Sequence, residues 1–297
     1  MMKRRKASTS SNRTVIKRKR DSLVEIHPTA VIHPKAKLAK DVSIGPYSVI
    51  GEHVTIGRGT RLISHVYVEG WTEIGERCQI YPYASIGTPP QHLQYKGEPT
   101  RVVIGHDNMV REYVTINRGT VHGGGVTTVG NENFLMAYVH IAHDCHLGDG
   151  LVMANAATLA GHITIGDHAI IGGLVGIHQY VRVGTYAMIG GCSAVGLDVP
   201  PFTRAAGGYR ATMYGVNSIG LRRQGFSRER ISALKRAYEL LFRSNHRLPD
   251  AIKIARDEFG ENADVMKLVA FVEATGRGIC KSVGAGSGDE DRDQEDG

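Results

Sequence analysis

The chain has 297 residues, which is enough for one large domain or two ordinary ones. Glycine is frequent, at 37 residues, and aromatic residues make up only 6% of the chain, a composition that favours a β architecture with many turns and a narrow interior. The net charge is +7, and no apolar run approaches the roughly 20 residues of a membrane-spanning helix, so we expect a soluble protein without stable membrane insertion.

Residues 1–23 form a basic extension, with nine lysines and arginines and no acidic residue between Lys3 and Arg20. This pattern fits a solvated disordered segment, a start codon placed too far upstream, or a transit peptide, and the lack of spaced apolar residues favours the first two. The extension has no aromatic side chains for base stacking, and the rest of the chain has no basic stripe. We therefore expect no nucleic-acid binding.

An aliphatic residue recurs every sixth position along most of the chain. The first run lasts from Ile26 to Ile86, and after an interruption and a slip of one residue the last run extends from Val129 to Val195. Six is a multiple of the strand period of two residues but not of the helical period of 3.6, so each hexad predicts a short strand and a corner. Glycine often follows the aliphatic residue directly, and we expect it to turn the corner. This periodicity is typical of a parallel β-helix, which we predict over residues 24–200.

Two polar segments interrupt the period, at 88–101 and 119–128. The first is rich in proline and glycine, and the second contains three consecutive glycines. Extra residues in a stack of coils can only be expelled as loops, and such loops often carry function. We expect the first loop to contribute to a site, whereas for the second the sequence leaves a tolerated insertion equally open.

After the hexads end, a helical period appears. Residues 201–226 are assigned as a connector. From Ser227, a plausible N-cap, apolar residues follow at helical spacing, and a second helix is predicted to begin near Pro249, with a third after it. The sequence thus predicts a small α-helical domain over 227–282 that caps the open end of the solenoid, followed by a disordered acidic tail over 283–297.

The cysteines show neither metal-ligand spacing nor the density of a disulfide scaffold. Two of the four, Cys78 and Cys145, fall on a repeat position otherwise held by small residues. We predict reduced structural thiols in a cytosol-like compartment. The expected location is the bacterial cytoplasm, with organelle import directed by the basic extension as the alternative.

Ionisable side chains gather around His143. Imidazole is the commonest general base near neutral pH, and an adjacent carboxylate such as Asp144 can hold its tautomer. Neighbours on a strand point to opposite faces, however, so adjacency alone does not establish a hydrogen bond. If three hexads make a coil, His162 and His178 lie about one and two coils further on, and His140 lies one corner away. We predict a site in this region, flanked by Asn155, Gly161 and Gln179.

Several segments resemble one enzyme family: NRGTVHGGG, HIAHDC, NAATLAGH, IIGGLVGIHQY, GGCS, DVPP and GLRRQGFSRE. In these segments the chain resembles the acyl-ACP:UDP-N-acetylglucosamine O-acyltransferases, which start lipid A biosynthesis. The resemblance runs from about Ile26 to Gly278 and implies a homotrimer of left-handed β-helices with active sites in clefts between subunits. The left-handed winding opposes the usual rule for parallel strands and rests on the resemblance alone.

The resemblance implies transfer of an R-3-hydroxyacyl chain from acyl carrier protein, the donor substrate, to the 3-hydroxyl of UDP-N-acetylglucosamine, without a metal or other cofactor. It implies that His143 is the general base, that Asp144 supports it, and that the Gly161 N–H stabilises the oxyanion. Substrate-binding residues are expected at His140, His162, His178, Gln179, Asn155, Gly191, Asn217, Arg223, Gln94 and Lys96.

The first loop departs from the family pattern. It has His92 and Gln94 where the family usually has Asp and Lys, with Lys96 two residues further on. This departure leaves the acceptor open between a 3-hydroxyl and a 3-amino nucleotide sugar. Two other classes also stay open: a zinc lyase of the γ-carbonic anhydrase type, which places histidine ligands on hexapeptide coils, and a non-catalytic scaffold.

Overall fold

The computed structural model describes residues 24–208 and 210–283. The predicted basic extension and nearly all of the acidic tail lie outside these residues. Short parallel strands wind into a left-handed β-helix with three flat faces, and each strand pairs with the strand of the same face in the neighbouring coils. The ordinary step is 18 residues, as from Arg61 to its partner Gln79, so three hexads make one coil.

The three faces follow one another along the chain. Face 1 contains β1 (Glu25–Ile26), β4 (Ser43–Ile44), β7 (Arg61–Leu62), β10 (Gln79–Ile80), β13 (Met109–Val110), β16 (Phe134–Leu135), β19 (Val152–Met153), β22 (Ile170–Ile171) and β25 (Met188–Ile189). Face 2 contains β2 (Val31–Ile32), β5 (Val49–Ile50), β8 (Tyr67–Val68), β11 (Ser85–Thr88), β14 (Thr115–Asn117), β17 (His140–Ile141), β20 (Thr158–Leu159), β23 (Gly176–Ile177) and β26 (Ala194–Val195). Face 3 contains β3 (Lys37–Leu38), β6 (Thr55–Ile56), β9 (Trp71–Ile74), β12 (Arg101–Ile104), β15 (Val126–Val129), β18 (His146–Leu147), β21 (Thr164–Ile165) and β24 (Arg182–Val183).

The aliphatic residue of each hexad points into the β-helix, as does the small residue four positions later. Ile141 and Cys145, for example, are both fully buried. Where the residue four positions after the aliphatic one is polar, its side chain forms hydrogen bonds to the main chain. Asn108, for example, donates to the Gly130 carbonyl at 2.8 Å and accepts from the Asn133 N–H at 2.9 Å. The interior is therefore one continuous column of stacked side chains.

The prediction that glycine turns the corners is wrong. The corners have positive φ, but mostly at other residues, such as Tyr83 at 65° and Tyr113 at 60°. The glycines after the aliphatic residues permit close approach between coils instead, since a Cβ on Gly45 would lie 1.7 Å from the Ile63 carbonyl oxygen. Stacking of the corner side chains offsets the backbone cost, as with the rings of Tyr83 and Tyr113, whose centroids are 4.9 Å apart.

Both predicted loops are expelled from the coils. Gln79 pairs with Met109, 30 residues later, and Met109 pairs with Phe134, 25 residues later, instead of the usual 18. The first loop connects β11 to β12, and the second connects β14 to β15 and contains a 3-10 helix, Val121–Gly123. The first loop leaves the β-helix two coils before His143, and the second leaves it one coil before.

The C-terminal part contains more regular structure than predicted. Within 201–226 the chain forms the hairpin β27 (Thr203–Ala206) and β28 (Thr212–Val216) and the helix α1 (Ser218–Arg223). β27 adds in parallel to β25, so this stretch extends the β-helix. Three longer helices follow, as predicted: α2 (Arg228–Phe242), capped by Ser227, then α3 (Leu248–Phe259) and α4 (Ala263–Glu273).

The end of the described chain returns to the β-helix. Ile279 pairs with Asp198, and Ser282 pairs with Met213. In the described ranges all four thiols are free; Cys192 is exposed and the other three are buried. No helix among residues 24–208 and 210–283 has the length and apolar character to cross a membrane.

Candidate active site

His143 and Asp144 lie at the corner between faces 2 and 3, directly after β17. Nδ1 of His143 is 2.8 Å from Oδ2 of Asp144, and both side chains are nearly buried. Neighbouring side chains diverge on a strand, but Asp144 has a φ of 59°, and this left-handed corner brings them together. The carboxylate thus accepts the Nδ1 proton and leaves Nε2 as the free base of the neutral ring.

The second loop holds the Asp144 carboxylate. Thr120 donates to it twice, from N–H to Oδ1 at 2.8 Å and from the hydroxyl to Oδ2 at 2.6 Å. The Asp144 N–H donates to the hydroxyl of Thr127 at 2.8 Å. Gly123 packs so closely that a Cβ there would overlap the carboxylate. The second loop is therefore part of the site.

These hydrogen bonds set the charge of Asp144. Burial by itself raises the pKa of a carboxyl group, but the hydrogen bonds from His143 and Thr120 outweigh burial, so the pKa of Asp144 lies below its ordinary value. Asp144 is consequently an anion over the physiological range, fixed beside the imidazole that it orients.

We expect Thr120→Val to destabilise the protein by about 1–3 kcal/mol, because it removes a hydrogen bond to a buried charge. Asp144 has a lowered folded pKa, so its stabilising contribution is present above the ordinary value of 3.8 and is lost as pH falls through the folded value. The substitution raises the folded pKa and moves the acid-unfolding limb to higher pH, measurable by chemical denaturation at a series of pH values. Thr203→Val is the matched control, since Thr203 donates to the neutral Pro200 carbonyl. An acid limb that moves equally in both variants would contradict the assignment.

Two more imidazoles surround His143. His162 lies at the same corner one coil further, with its ring centroid 5.1 Å from that of His143 and 4.5 Å from that of Tyr180. His92, from the first loop, meets His143 edge-on at 5.3 Å. Burial, partly offset by Asp144, lowers the pKa of His162. The His162 ring is therefore neutral near pH 7 and does not form an ion pair with Asp144 in place of His143.

The first loop reaches His143 because the NRG segment anchors it. Asn117 Nδ2 donates to the Thr88 hydroxyl and the Pro89 carbonyl, both at 2.9 Å. Arg118 Nε donates to the Tyr95 hydroxyl at 2.8 Å. These contacts fix both ends of the loop segment that carries His92.

Gly161 lies one coil beyond His143 at the same corner position. A Cβ built on Gly161 would lie 2.6 Å from Cε1 and 2.9 Å from Nε2 of His143, so only glycine leaves room for the ring. Among the described residues, no acceptor pairs with the Gly161 N–H. A polar main-chain hydrogen beside the base is thus available to a ligand.

A groove of about 940 Å³ runs from His143 along face 2 toward the C-terminal end. Its floor is the outward column of His140, Thr158, Gly176 and Ala194, one residue per coil. His140 Nδ1 is 2.7 Å from the Thr115 hydroxyl, and burial lowers the pKa of His140. Because the column ends in the small residues Gly176 and Ala194, the groove accommodates an extended chain there.

Other predicted residues lie at the edges. His178 lines the groove, and Gln179 beside it is exposed. Asn155 and Gly191 lie at the corner that precedes face 2, whereas His143 lies at the corner that follows it. Gln94 and Lys96 are exposed in the first loop.

Asn217 and Arg223 are not brought to His143 within one chain. Asn217 caps α1, accepts from Gly220 N–H, and donates to the Tyr186 carbonyl at 3.1 Å. Tyr186 turns the corner between faces 3 and 1, and Arg223 is exposed at the end of α1. Asn217 thus has a structural role in this chain as the cap of α1.

Comparison with known proteins gives the family. Residues 198–280 match the model described as UDP N-acetylglucosamine O-acyltransferase, domain 2, and residues 24–58 match the bacterial transferase hexapeptide. The acyl-[acyl-carrier-protein]–UDP-N-acetylglucosamine O-acyltransferase of Thermodesulfovibrio yellowstonii is 59% identical over 257 residues, covering 86% of this chain and 99% of the relative. That of Syntrophobacter fumaroxidans is 48% identical, covering 87% and 100%. The chain belongs to this acyltransferase family.

A solved family structure gives the same fold. The crystal structure of UDP-N-acetylglucosamine O-acyltransferase from Moraxella catarrhalis is 43% identical and covers 86% of this chain and 99% of its own, with a TM-score of 0.84. The predicted family and the predicted left-handed β-helix with a helical C-terminal part are therefore confirmed.

In this family member, several residues near the base lie outside the predicted set. Thr120 lies in the second loop, whose role the sequence leaves open, although it belongs to the Thr-Val-His-Gly-Gly-Gly part of a segment that resembles the family. Thr127 lies on β15. His92 stands out in the sequence only as a departure from the family pattern. Arg277 lines the groove and follows the last helix. No sequence periodicity in that segment identifies it as a site residue. All four residues reach the site through contacts between segments that are distant in sequence, and for this reason they are absent from the predicted set.

The side chains of His143, Asp144 and His162 could also hold a cation, because one ligand atom from each lies within 4.8 Å of the others. The carboxylate and imidazole set suits zinc in type. In this protein, however, the Asp144 carboxylate already accepts hydrogen bonds from His143 and Thr120, so a cation would have to displace the hydrogen bond from His143.

Proposed function

We propose that this acyltransferase moves an R-3-hydroxyacyl chain from acyl carrier protein to position 3 of UDP-N-acetylglucosamine, the first step of lipid A biosynthesis, with His143 as general base. One observation carries the proposal: a buried His143–Asp144 pair opens onto a groove beside the unpaired Gly161 N–H. The names of the relatives support the two substrates.

The steps follow from this geometry. Nε2 of His143 takes the proton of the sugar hydroxyl, and the oxygen attacks the thioester carbonyl carbon. The imidazolium formed is stabilised by Asp144, and the Gly161 N–H donates to the oxyanion of the tetrahedral intermediate. When the carbon–sulfur bond breaks, His143 returns its proton to the leaving thiolate, so ester and free carrier thiol are the products. No covalent acyl-enzyme is needed.

The proposal includes a homotrimer with the site between subunits. Asn217 and Arg223 lie at or beside the corner between faces 3 and 1, away from His143, yet the resemblance to the family predicts that both bind the substrate. A neighbouring copy that places its α1 against this groove would supply both residues. A guanidinium fork there suits a diphosphate.

Direct transfer of the acyl chain is the test of the proposed function. Purified protein, a panel of 3-hydroxyacyl carriers of different length and both the 3-hydroxyl and the 3-amino nucleotide sugar would be combined, with the products read by mass spectrometry. We expect an acylated 3-hydroxyl product. No transfer to either sugar from any carrier would refute the proposal.

We expect His92 to contact the acceptor, because its ring meets that of His143 and it stands where the family usually has Asp. We expect His92→Asp to change the ratio of kcat/KM for the 3-hydroxyl and 3-amino sugars by about tenfold, the value of one hydrogen bond to a charged group. Gln94→Lys is the companion variant, since Gln94 is exposed in the same loop and stands where the family usually has Lys. An unchanged ratio in His92→Asp would remove His92 from acceptor recognition.

We expect chelator treatment to leave acyl transfer unchanged, because the mechanism uses only side chains and a main-chain amide. The measurement is activity after exhaustive dialysis against a chelator, with metal content determined on the same sample. Stoichiometric zinc, together with activity that disappears on its removal and returns with it, would favour the lyase-type site instead.

A further inference from the structure

Arg277 reaches the groove from a segment that carries no hexad. Its Nε donates to the Gly196 carbonyl oxygen at 2.7 Å, and its Nη2 lies 2.8 Å from Nδ1 of His178. Gly196 occupies the position of His178 one coil further on, as the pairing of Ile177 with Val195 shows. Arg277 therefore bridges two successive coils at the edge of the groove.

The turn that carries Arg277 is tied to a buried carboxylate. Asp198, 1% exposed, accepts from the Thr275 hydroxyl at 2.9 Å, and that hydroxyl accepts from Gly278 N–H at 3.0 Å. The Asp198 N–H donates to the Gly278 carbonyl, and the Asp198 carbonyl accepts from Cys280 N–H. Because residues on both sides of Arg277 are bound to the last coil, the guanidinium is held over His178 before any substrate arrives.

Nδ1 of His178 has two neighbours that require opposite protonation. The guanidinium of Arg277 at 2.8 Å can only donate, whereas the Gln179 carbonyl oxygen at 3.2 Å can only accept. The shorter, charge-assisted hydrogen bond prevails, so Nδ1 accepts and the proton of the neutral ring is on Nε2. Without Arg277 only the carbonyl would remain, and Nδ1 would take the proton.

We propose that Arg277 is a positioning residue that fixes His178 as the Nε2–H tautomer, so that the ring donates a hydrogen bond to an oxygen of the acyl donor in the groove. The identity of the ligand rests on the proposed function, whereas the tautomer rests on the contacts of Arg277 alone. A donor fixed in advance stabilises the bound substrate without the cost of reorienting the ring.

The tautomer is tested without any substrate. Histidine ¹⁵N NMR of the full chain, with His178 assigned by its loss in His178→Ala, is expected to show a protonated Nε2 in the wild type and a protonated Nδ1 in Arg277→Met. Arg277→Lys keeps a donor for Nδ1 and should retain Nε2–H. Arg256→Met is the matched control, because Arg256 pairs with Glu273 away from the groove and should change nothing. A protonated Nδ1 in the wild type, or no change in Arg277→Met, would overturn the proposal.

The functional part is tested by a double-mutant cycle. We expect Arg277→Met to lower kcat/KM for the acyl donor about tenfold, as loss of one oriented hydrogen bond would, and to add less than about twofold in the His178→Ala background. A full effect of Arg277→Met without His178 would mean that Arg277 acts otherwise, and would overturn the proposal. If the tautomer changes as expected but no variant, nor the wild type, transfers an acyl chain, the proposed function fails while the positioning of His178 stands.

Discussion

His143→Ala should lower kcat for acyl transfer by about 10²–10⁴, the contribution of a positioned general base. The imidazole is the group whose Nε2 faces the groove while its Nδ1 is bound to Asp144 at 2.8 Å. The substitution leaves a small space beside Gly161, and the methyl group of alanine fits the corner. Because the substitution also removes a hydrogen bond to the buried Asp144 carboxylate, we expect a folded protein that is less stable than the wild type by about 1–3 kcal/mol, as for Thr120→Val.

The control for this experiment is His246→Ala. His246 is exposed between α2 and α3 and does not line the groove. Its loss should leave kcat within about twofold, as for a surface substitution away from the site. The measurement is the single-turnover rate under saturating acyl donor. An undiminished rate in His143→Ala would show that His143 has no part in the mechanism.

Gly161→Ala should lower kcat by about 10²–10³, the usual effect of disturbing an oxyanion donor. The added methyl would lie 2.6 Å from Cε1 of His143, so the ring must leave its place beside Asp144. The same methyl crowds the space in front of the Gly161 N–H. Base and oxyanion donor are thus disturbed together by a single carbon atom.

The backbone does not explain this effect, because Gly161 has no positive φ and accepts a Cβ by conformation. Gly208→Ala is the matched control, since no atom of the described residues lies within 4 Å of a Cβ at that exposed position. We expect unchanged kinetics there. In the His143→Ala background, Gly161→Ala should cost much less than alone, because the ring is already gone. Wild-type kcat in Gly161→Ala would show that His143 has more room than its contacts indicate.

Most of the fold could be predicted from the sequence because each coil repeats the same burial. The six-residue period identifies Ile141 and its equivalents as interior, and the structure buries them. The assignment of glycine to the corners was wrong because the repeat shows only where a small residue occurs. It does not show whether that residue is needed for a positive φ or for close approach of a neighbouring coil. The hairpin and α1 within 201–226 were missed because their partners, β25 and the longer helices, are distant in sequence.

The site was predictable in part. The residue types of His143 and Asp144 indicated a base and its support, but the hydrogen bond between them depends on the left-handed corner at Asp144. Residue type alone does not mark Thr120 or Arg277, because Thr120 acts through an expelled loop and Arg277 through a turn 99 residues after His178. Periodicity describes the scaffold, whereas these contacts arise where the scaffold is interrupted or ends.

The unbroken coils from Val129 to Val195 also restrict how this gene can change in length. Deletion or insertion of one codon between Gly161 and His178 would exchange interior and exterior side chains downstream, unless the extra residue bulged out at a corner. Duplication of a whole turn of 18 codons would preserve every inward position and lengthen the groove by about 4.8 Å, the distance between adjacent strands. Viable length variants among descendants of this sequence should therefore differ by complete turns in this region and by arbitrary numbers in the two expelled loops.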